Sequence, residues 1–174
     1  MHLKLKGSPG IFIVGFMGCG KSTVGRALSN KMGWAFVDLD DEIERIAGKP
    51  IPKIFVDDGE DVFRDHEYTA VREQAGLAQR GQPRVVALGG GTFAYKRNRT
   101  VLENAGVSIW LDADADYLWP RISGQDHRPL ARDRTAYAEL LASRRDSYAL
   151  ADFRVDSAGS PEQVLERTLA LGLM

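Results

Sequence analysis

Short apolar runs alternate along this chain with stretches in which hydrophobic residues recur every third or fourth position. Ile11-Phe12-Ile13-Val14 is a run of β-branched and aromatic residues ending at a glycine, the pattern of a buried strand. After a glycine-rich loop, Val24, Leu28 and Met32 fall at helical spacing, and Gly33 stops that helix. Ala35-Phe36-Val37 predicts a second strand, ending in Asp38-Leu39-Asp40. Gly48, Pro50 and Pro52 punctuate the next stretch, Gly59-Glu60 follows, and a helical pattern runs from about Phe63 to Leu77. Arg84 to Leu88 predicts a third strand leading into Gly89-Gly90-Gly91, Val107 to Leu111 a fourth, and Phe153 to Val155 a fifth. A closing helix starts near Pro161, with Ser160 as its N-cap. Strands alternating with helices predict an α/β fold of right-handed βαβ units around a parallel sheet. In such sheets ligands bind at the carboxyl ends of the strands. Gly15, the Asp38/Asp40 pair and Gly89 occupy three of those ends. Ser123 to Thr135, rich in Arg and Asp and without apolar periodicity, predicts a surface flap.

Composition narrows the class of protein more than its chemistry. The 174 residues suit one compact domain, and 44% hydrophobic with 27% charged residues is an ordinary globular balance. A formal net charge of −1 provides no overall basic field for a nucleic-acid backbone or an anionic membrane, so any anion must be held by local clusters. The one cysteine, Cys19, excludes an internal disulfide and fits a reducing compartment. Met1 to Gly10 lacks the apolar run of a signal peptide, and Ile11 to Val14 is far too short to span a bilayer. A cytoplasmic monomer of one domain, residues 1–174, is the expectation. His2, His66 and His127 are dispersed, which gives no zinc-type spacing, and Trp34, Trp110 and Trp119 read as packing residues.

The chemistry is announced by Gly15-Phe16-Met17-Gly18-Cys19-Gly20-Lys21-Ser22, which fits G-x-x-x-x-G-K-[ST] at every fixed position. Glycines let the backbone turn its N–H groups inward around an anion, and the helix that follows adds unpaired N–H groups and a positive dipole end. Lys21 reaches the β- and γ-phosphates, Ser22 offers a hydroxyl to magnesium, and Thr23 supports the same loop. A Rossmann dinucleotide site fits worse, because Thr23 stands where its third glycine belongs. An acceptor site must come from elsewhere. Asp38 and Asp40, two apart at a strand end, point the same way if both lie on the pleat, although either would also serve as a helix cap. Arg64 and Glu67 have the spacing of an ordinary helix ion pair, and Gly89 to Gly91 suit a flexible turn or a close approach of ligand to backbone.

Taken in order, these motifs resemble those of the shikimate kinase family over nearly the whole chain. They are the loop Gly15 to Thr23, Phe36-Val37-Asp38-Leu39-Asp40, Gly59-Glu60 with Phe63-Arg64 and Glu67, Leu88-Gly89-Gly90-Gly91, Arg128-Pro129-Leu130, and Arg144 four before Tyr148. The resemblance implies a three-layer α/β/α P-loop kinase fold with a five-stranded parallel sheet, a substrate-binding helical segment at about 41–70 and a mobile lid at about 122–135. It implies transfer of phosphate from ATP, with Mg2+, to the 3-hydroxyl of shikimate. Gly18, Cys19, Gly20, Lys21, Ser22, Thr23, Arg121 and the lid's Arg128 would then serve the nucleotide, with Ser22 and Asp38 at the metal. Asp40, Arg64, Gly89, Gly90, Gly91 and Arg144 would hold shikimate, and Lys21, Asp40 and Arg128 would carry catalysis. Arg145 competes with Arg144 for the substrate carboxylate, since Arg144-Arg145-Asp146-Ser147-Tyr148 replaces the commoner Arg-x-Pro-Leu-Tyr. Pro52 falls in a segment usually helical, and Ala131-Arg132 follow Pro129-Leu130 where a second leucine is more usual. A kinase for another hydroxy acid such as gluconate, or a non-catalytic nucleotide-binding paralogue, would share the phosphate loop.

Overall fold

A computed structural model describes residues 10–123 and 133–173 of the chain. All five predicted strands are present: β1 (Gly10–Val14), β2 (Ala35–Asp38), β3 (Arg84–Ala87), β4 (Val107–Asp112) and β5 (Phe153–Asp156). They form one parallel sheet in the order β2-β3-β1-β4-β5. The central strands β1 and β3 are buried along their whole length, as expected of strands covered by helices on both faces.

The helices are α1 (Lys21–Met32), α2 (Leu39–Ala47), α3 (Ile51–Asp57), α4 (Gly59–Gln79), α5 (Lys96–Glu103), α6 (Ala115–Ile122), α7 (Arg134–Tyr148) and α8 (Pro161–Leu169). The β1–β2 and β3–β4 crossovers run in opposite directions across the sheet, so right-handedness puts their helices on opposite faces. α1 packs with α8, while α4 packs with α2, α3 and α5. This arrangement opens a crevice at the carboxyl ends of β1 and β3.

Several local choices follow directly from sequence chemistry. Gly33 ends α1 in the left-handed conformation, at φ 67°. Ser160 and Gln163 form a reciprocal capping box at the start of α8, with Pro161 at its first position. Pro52 is accommodated because it lies in the first turn of α3, where a backbone N–H has no helical partner to lose. Two expectations change. The helix anticipated from Phe63 begins at Gly59, and Asp40 is not on a strand, because β2 ends at Asp38 and α2 begins at Leu39. Most of the expected lid, including Arg128 and Arg132, lies outside the described residues. At its borders α6 ends at Ile122, and Asp133 caps α7 by accepting from Ala136 N at 3.0 Å. No helix among the described residues is long and apolar enough to cross a membrane.

Candidate active site

The phosphate loop joins the buried end of β1 to the first turn of α1. Gly18 and Gly20 take φ of 87° and 93°, values that residues with a Cβ rarely adopt, so glycine is required at both. Gly20 is the N-cap of α1, so Lys21, Ser22 and Thr23 present first-turn N–H groups without intrahelical partners. Lys21 arches back over the loop and donates from Nζ to the carbonyls of Gly15 (2.8 Å) and Phe16 (3.1 Å). Cys19 has its side chain buried beneath the loop, so its contribution to a ligand is confined to the main chain.

Beside the loop, Ser22 Oγ donates to Asp38 Oδ2 at 2.6 Å, while Asp38 Oδ1 caps α2 by accepting from Asp40 N at 3.1 Å. Both anticipated roles of Asp38, strand-end acid and helix cap, are thus filled by one side chain. A hydroxyl and a carboxylate side by side are hard oxygen donors that fit Mg2+, which takes few protein ligands and completes its shell with water and phosphate. No group of three or more His, Cys, Asp or Glu suited to a metal occurs among the described residues.

Asp40 stands in the first turn of α2 and remains accessible to solvent, although protein surrounds it on most sides. That burial, and then the charge of Asp38, push its carboxyl up to about 6; Lys21 opposes the rise, while Glu67 and Asp41 add to it. Its Oδ1 lies against Gly89, where an added Cβ would come within 3.0 Å of it and of Thr92 Oγ1. A side chain at Gly91 would meet Arg144 Nη1 at 2.7 Å and Arg64 Nη1 and Nη2 at 3.0 and 3.1 Å. The glycine turn is therefore the floor on which Asp40, Arg64 and Arg144 converge, from α2, α4 and α7.

Arg64 and Glu67 are more than a surface pair. Glu67 is 1% exposed and accepts from Arg64 Nη1 through both oxygens (3.1 and 3.2 Å) and from Thr92 Oγ1 (2.7 Å). A buried carboxylate without such partners would be costly, and with them it anchors α4 to the glycine turn. Tyr148 adds a second anchor, donating from its hydroxyl to Gly90 O at 2.5 Å. Sequence reasoning missed Thr92 and the role of Tyr148. The spacing of Arg144 and Tyr148, four apart on one helix, was the available signal for the second.

The geometry also separates the two adjacent arginines. Arg145 binds Asp112 through Nη1 to Oδ1 (3.0 Å) and Nη2 to Oδ2 (3.1 Å), and its guanidinium lies 5.2 Å from the centre of the Trp110 ring. Arg154 reaches the same carboxylate from β5 and covers the same indole at 5.0 Å. Arg145 thus belongs to a clamp between α7 and the sheet, and Arg144 is the one that faces the glycine turn. Arg121, on α6, donates to Tyr117 Oη at 2.9 Å, and that hydroxyl accepts from Gly159 N at 2.9 Å, beside the phosphate loop at Gly18.

A shikimate kinase family model matches residues 17–171. The chain is 41% identical over 161 residues to a shikimate kinase of Persephonella marina, covering 91% of this chain and 96% of that one. It is 44% identical over 166 residues to a shikimate kinase of Gloeobacter violaceus, covering 91% and 89%. A solved shikimate kinase from Acinetobacter baumannii, in complex with shikimate, superposes with a TM-score of 0.86 at 32% identity, covering 95% of this chain and 93% of that one. With the family model matched over residues 17–171 and relatives more than 40% identical over most of its length, this chain belongs to the shikimate kinase family.

Proposed function

We propose that this protein transfers the γ-phosphate of ATP to the 3-hydroxyl of shikimate. The observation that carries this reading is the convergence of Asp40, Arg64 and Arg144 on the turn Gly89 to Gly91, across from Lys21 and the phosphate loop. A hydroxyl acceptor needs a carboxylate, and an acidic acceptor needs cations whose planar forks match its own carboxylate. A pure nucleotide binder would share the loop but has no use for an aspartate and two arginines beside it. Gluconate, also an acid, would call for the arginines too, and it is the similarity to shikimate kinases that favours shikimate over it.

In this reading the phosphates bind the loop N–H groups and the first turn of α1, and Lys21 exchanges its loop carbonyls for phosphate oxygens. Arg121 lies along the base. Ser22 and Asp38 would hold magnesium, whose charge would offset that of the phosphates. Arg64 and Arg144 take the shikimate carboxylate, and the absence of side chains at Gly89 and Gly91 lets the ring approach. Asp40 orients the attacking hydroxyl and receives its proton as the new O–P bond forms and the bond from the γ-phosphorus to the bridging oxygen breaks, releasing ADP. Catalysis comes mainly from positioning and charge neutralisation, as phosphoryl transfer demands.

The test is ADP release with ATP and Mg2+, measured with shikimate, gluconate and other hydroxy acids in turn. Release stimulated by shikimate alone is expected. Stimulation by gluconate, or by none of the acids, would replace this reading with one of its alternatives.

A further inference from the structure

Arg64 is held on more sides than a substrate-binding arginine requires. Glu67 takes Nη1, and Glu60, 61% exposed, takes Nε and Nη2 at 3.4 and 3.3 Å, which makes the Nε/Nη2 edge the accessible one. Two aromatic rings supply the remaining constraint. The guanidinium carbon lies 4.9 Å from the centre of the Phe63 ring and 4.7 Å from that of Tyr95. Phe63 precedes Arg64 on α4, whereas Tyr95 comes from a different element, between the 3-10 turn Thr92–Ala94 and α5. Tyr95 occupies the N-cap of α5 and forms no side-chain cap bond there. Asn, Asp or Ser would satisfy a helix N–H at that position and tyrosine does not, so helix stability does not account for the residue. It is also 36% exposed, so core packing does not account for it either.

We propose that Tyr95 is a positioning residue for acceptor binding: its ring face fixes the plane of the Arg64 guanidinium, so that the Nε/Nη2 edge is presented to the acceptor carboxylate. Cation–π contact with the two rings, together with Glu67 on one edge, restrains rotation of the guanidinium. Binding then requires only the displacement of Glu60. The inference rests on the proposed carboxylate role of Arg64.

Steady-state kinetics on the full chain test it. Tyr95→Ala should raise the shikimate KM roughly 3- to 30-fold, the range of a partly desolvated cation–π contact, and leave the ATP KM within about twofold. Tyr95→Leu, which keeps apolar bulk without a π face, should behave like Tyr95→Ala, and Tyr95→Phe should restore the wild-type KM. In an Arg64→Ala background Tyr95→Ala should add less than about twofold, since its target is gone. The inference alone is overturned if Arg64→Ala raises the shikimate KM and Tyr95→Ala does not. It is overturned also if the ATP KM rises in parallel, or if the full effect persists without Arg64. An unchanged shikimate KM in Arg64→Ala would sink the carboxylate reading, and this inference with it.

Discussion

Asp40 illustrates how a residue can serve chemistry at a cost to the fold. Its carboxyl is pushed from the usual 3.8 to about 6, first by burial and then by Asp38, so the folded chain holds that proton more tightly than the unfolded one. Between those values the native state binds the extra proton, so stability falls as pH rises, and the full penalty is present above about 6. In metal-free buffer, Asp40→Asn should therefore raise Tm at pH 8 and leave it nearly unchanged below pH 4. A lowered Tm at pH 8 would contradict the sign. The same variant should lose turnover by about 10²- to 10⁴-fold, the range for general acid–base groups, while still binding ATP in a direct titration. The adjacent arginines make a sharper contrast. Arg144→Ala should raise the shikimate KM roughly 10- to 100-fold, as loss of hydrogen bonds to a charged group does. Arg145→Ala should leave that KM alone and lower Tm by roughly 2–6 °C, because among the described residues Asp112 then keeps Arg154 as its one ion-pair partner. From sequence Arg145 competed with Arg144 for the carboxylate, because Asp112 and Trp110 lie on a strand far from α7 along the chain. Only the fold brings that carboxylate to one of them.

At the scale of elements, legibility followed locality. The strand, loop and helix around Gly15 to Ser22 are contiguous, and every requirement for an anion nest is written within a few residues. The capping box of α8 is equally local; Ser160→Ala should cost about 1 kcal/mol, seen as a Tm lowered by roughly 2–4 °C with unchanged kinetics. The acidic strand end was legible as a pair of residues but not as a shape. The pleat argument assumed a strand through Asp40, whereas Asp38 caps a new helix and Asp40 falls within it. Glu67 escaped a purely local reading for the opposite reason, since helix spacing accounts for Arg64 but says nothing of Thr92 on the far side of β3. The glycine turn offers a test of the assembled floor. Gly91 has φ −101°, so alanine is tolerated by the backbone, and its Cβ would displace the two arginine forks without straining the chain. Gly91→Ala should raise the shikimate KM at least about tenfold and spare the ATP KM; a parallel loss of both would place the damage in the fold.

For the molecule as a whole, the proposed acceptor bridges α2, α4 and α7, so its binding should tighten the packed α2–α4 pair against α7 across the glycine turn. At about 100 times its Kd, shikimate should stabilise the protein by about 2.7 kcal/mol, a rise in Tm of roughly 5–11 °C, and gluconate should give none. The strand order carries a further consequence, for the chain as it is made. β1, which ends in the phosphate loop, lies between β3 and β4, and its partners run from Arg84 to Ala87 and from Val107 to Trp110. At typical synthesis rates it waits roughly 5–20 s after leaving the ribosome before both neighbours exist. For most of that time an apolar strand and its loop have no neighbouring strand to join, which makes the nascent N-terminal half a natural client for a chaperone. Ribosome-bound chains halted before Val107 should neither protect the loop from protease nor retain ATP, and chains released after β5 should do both.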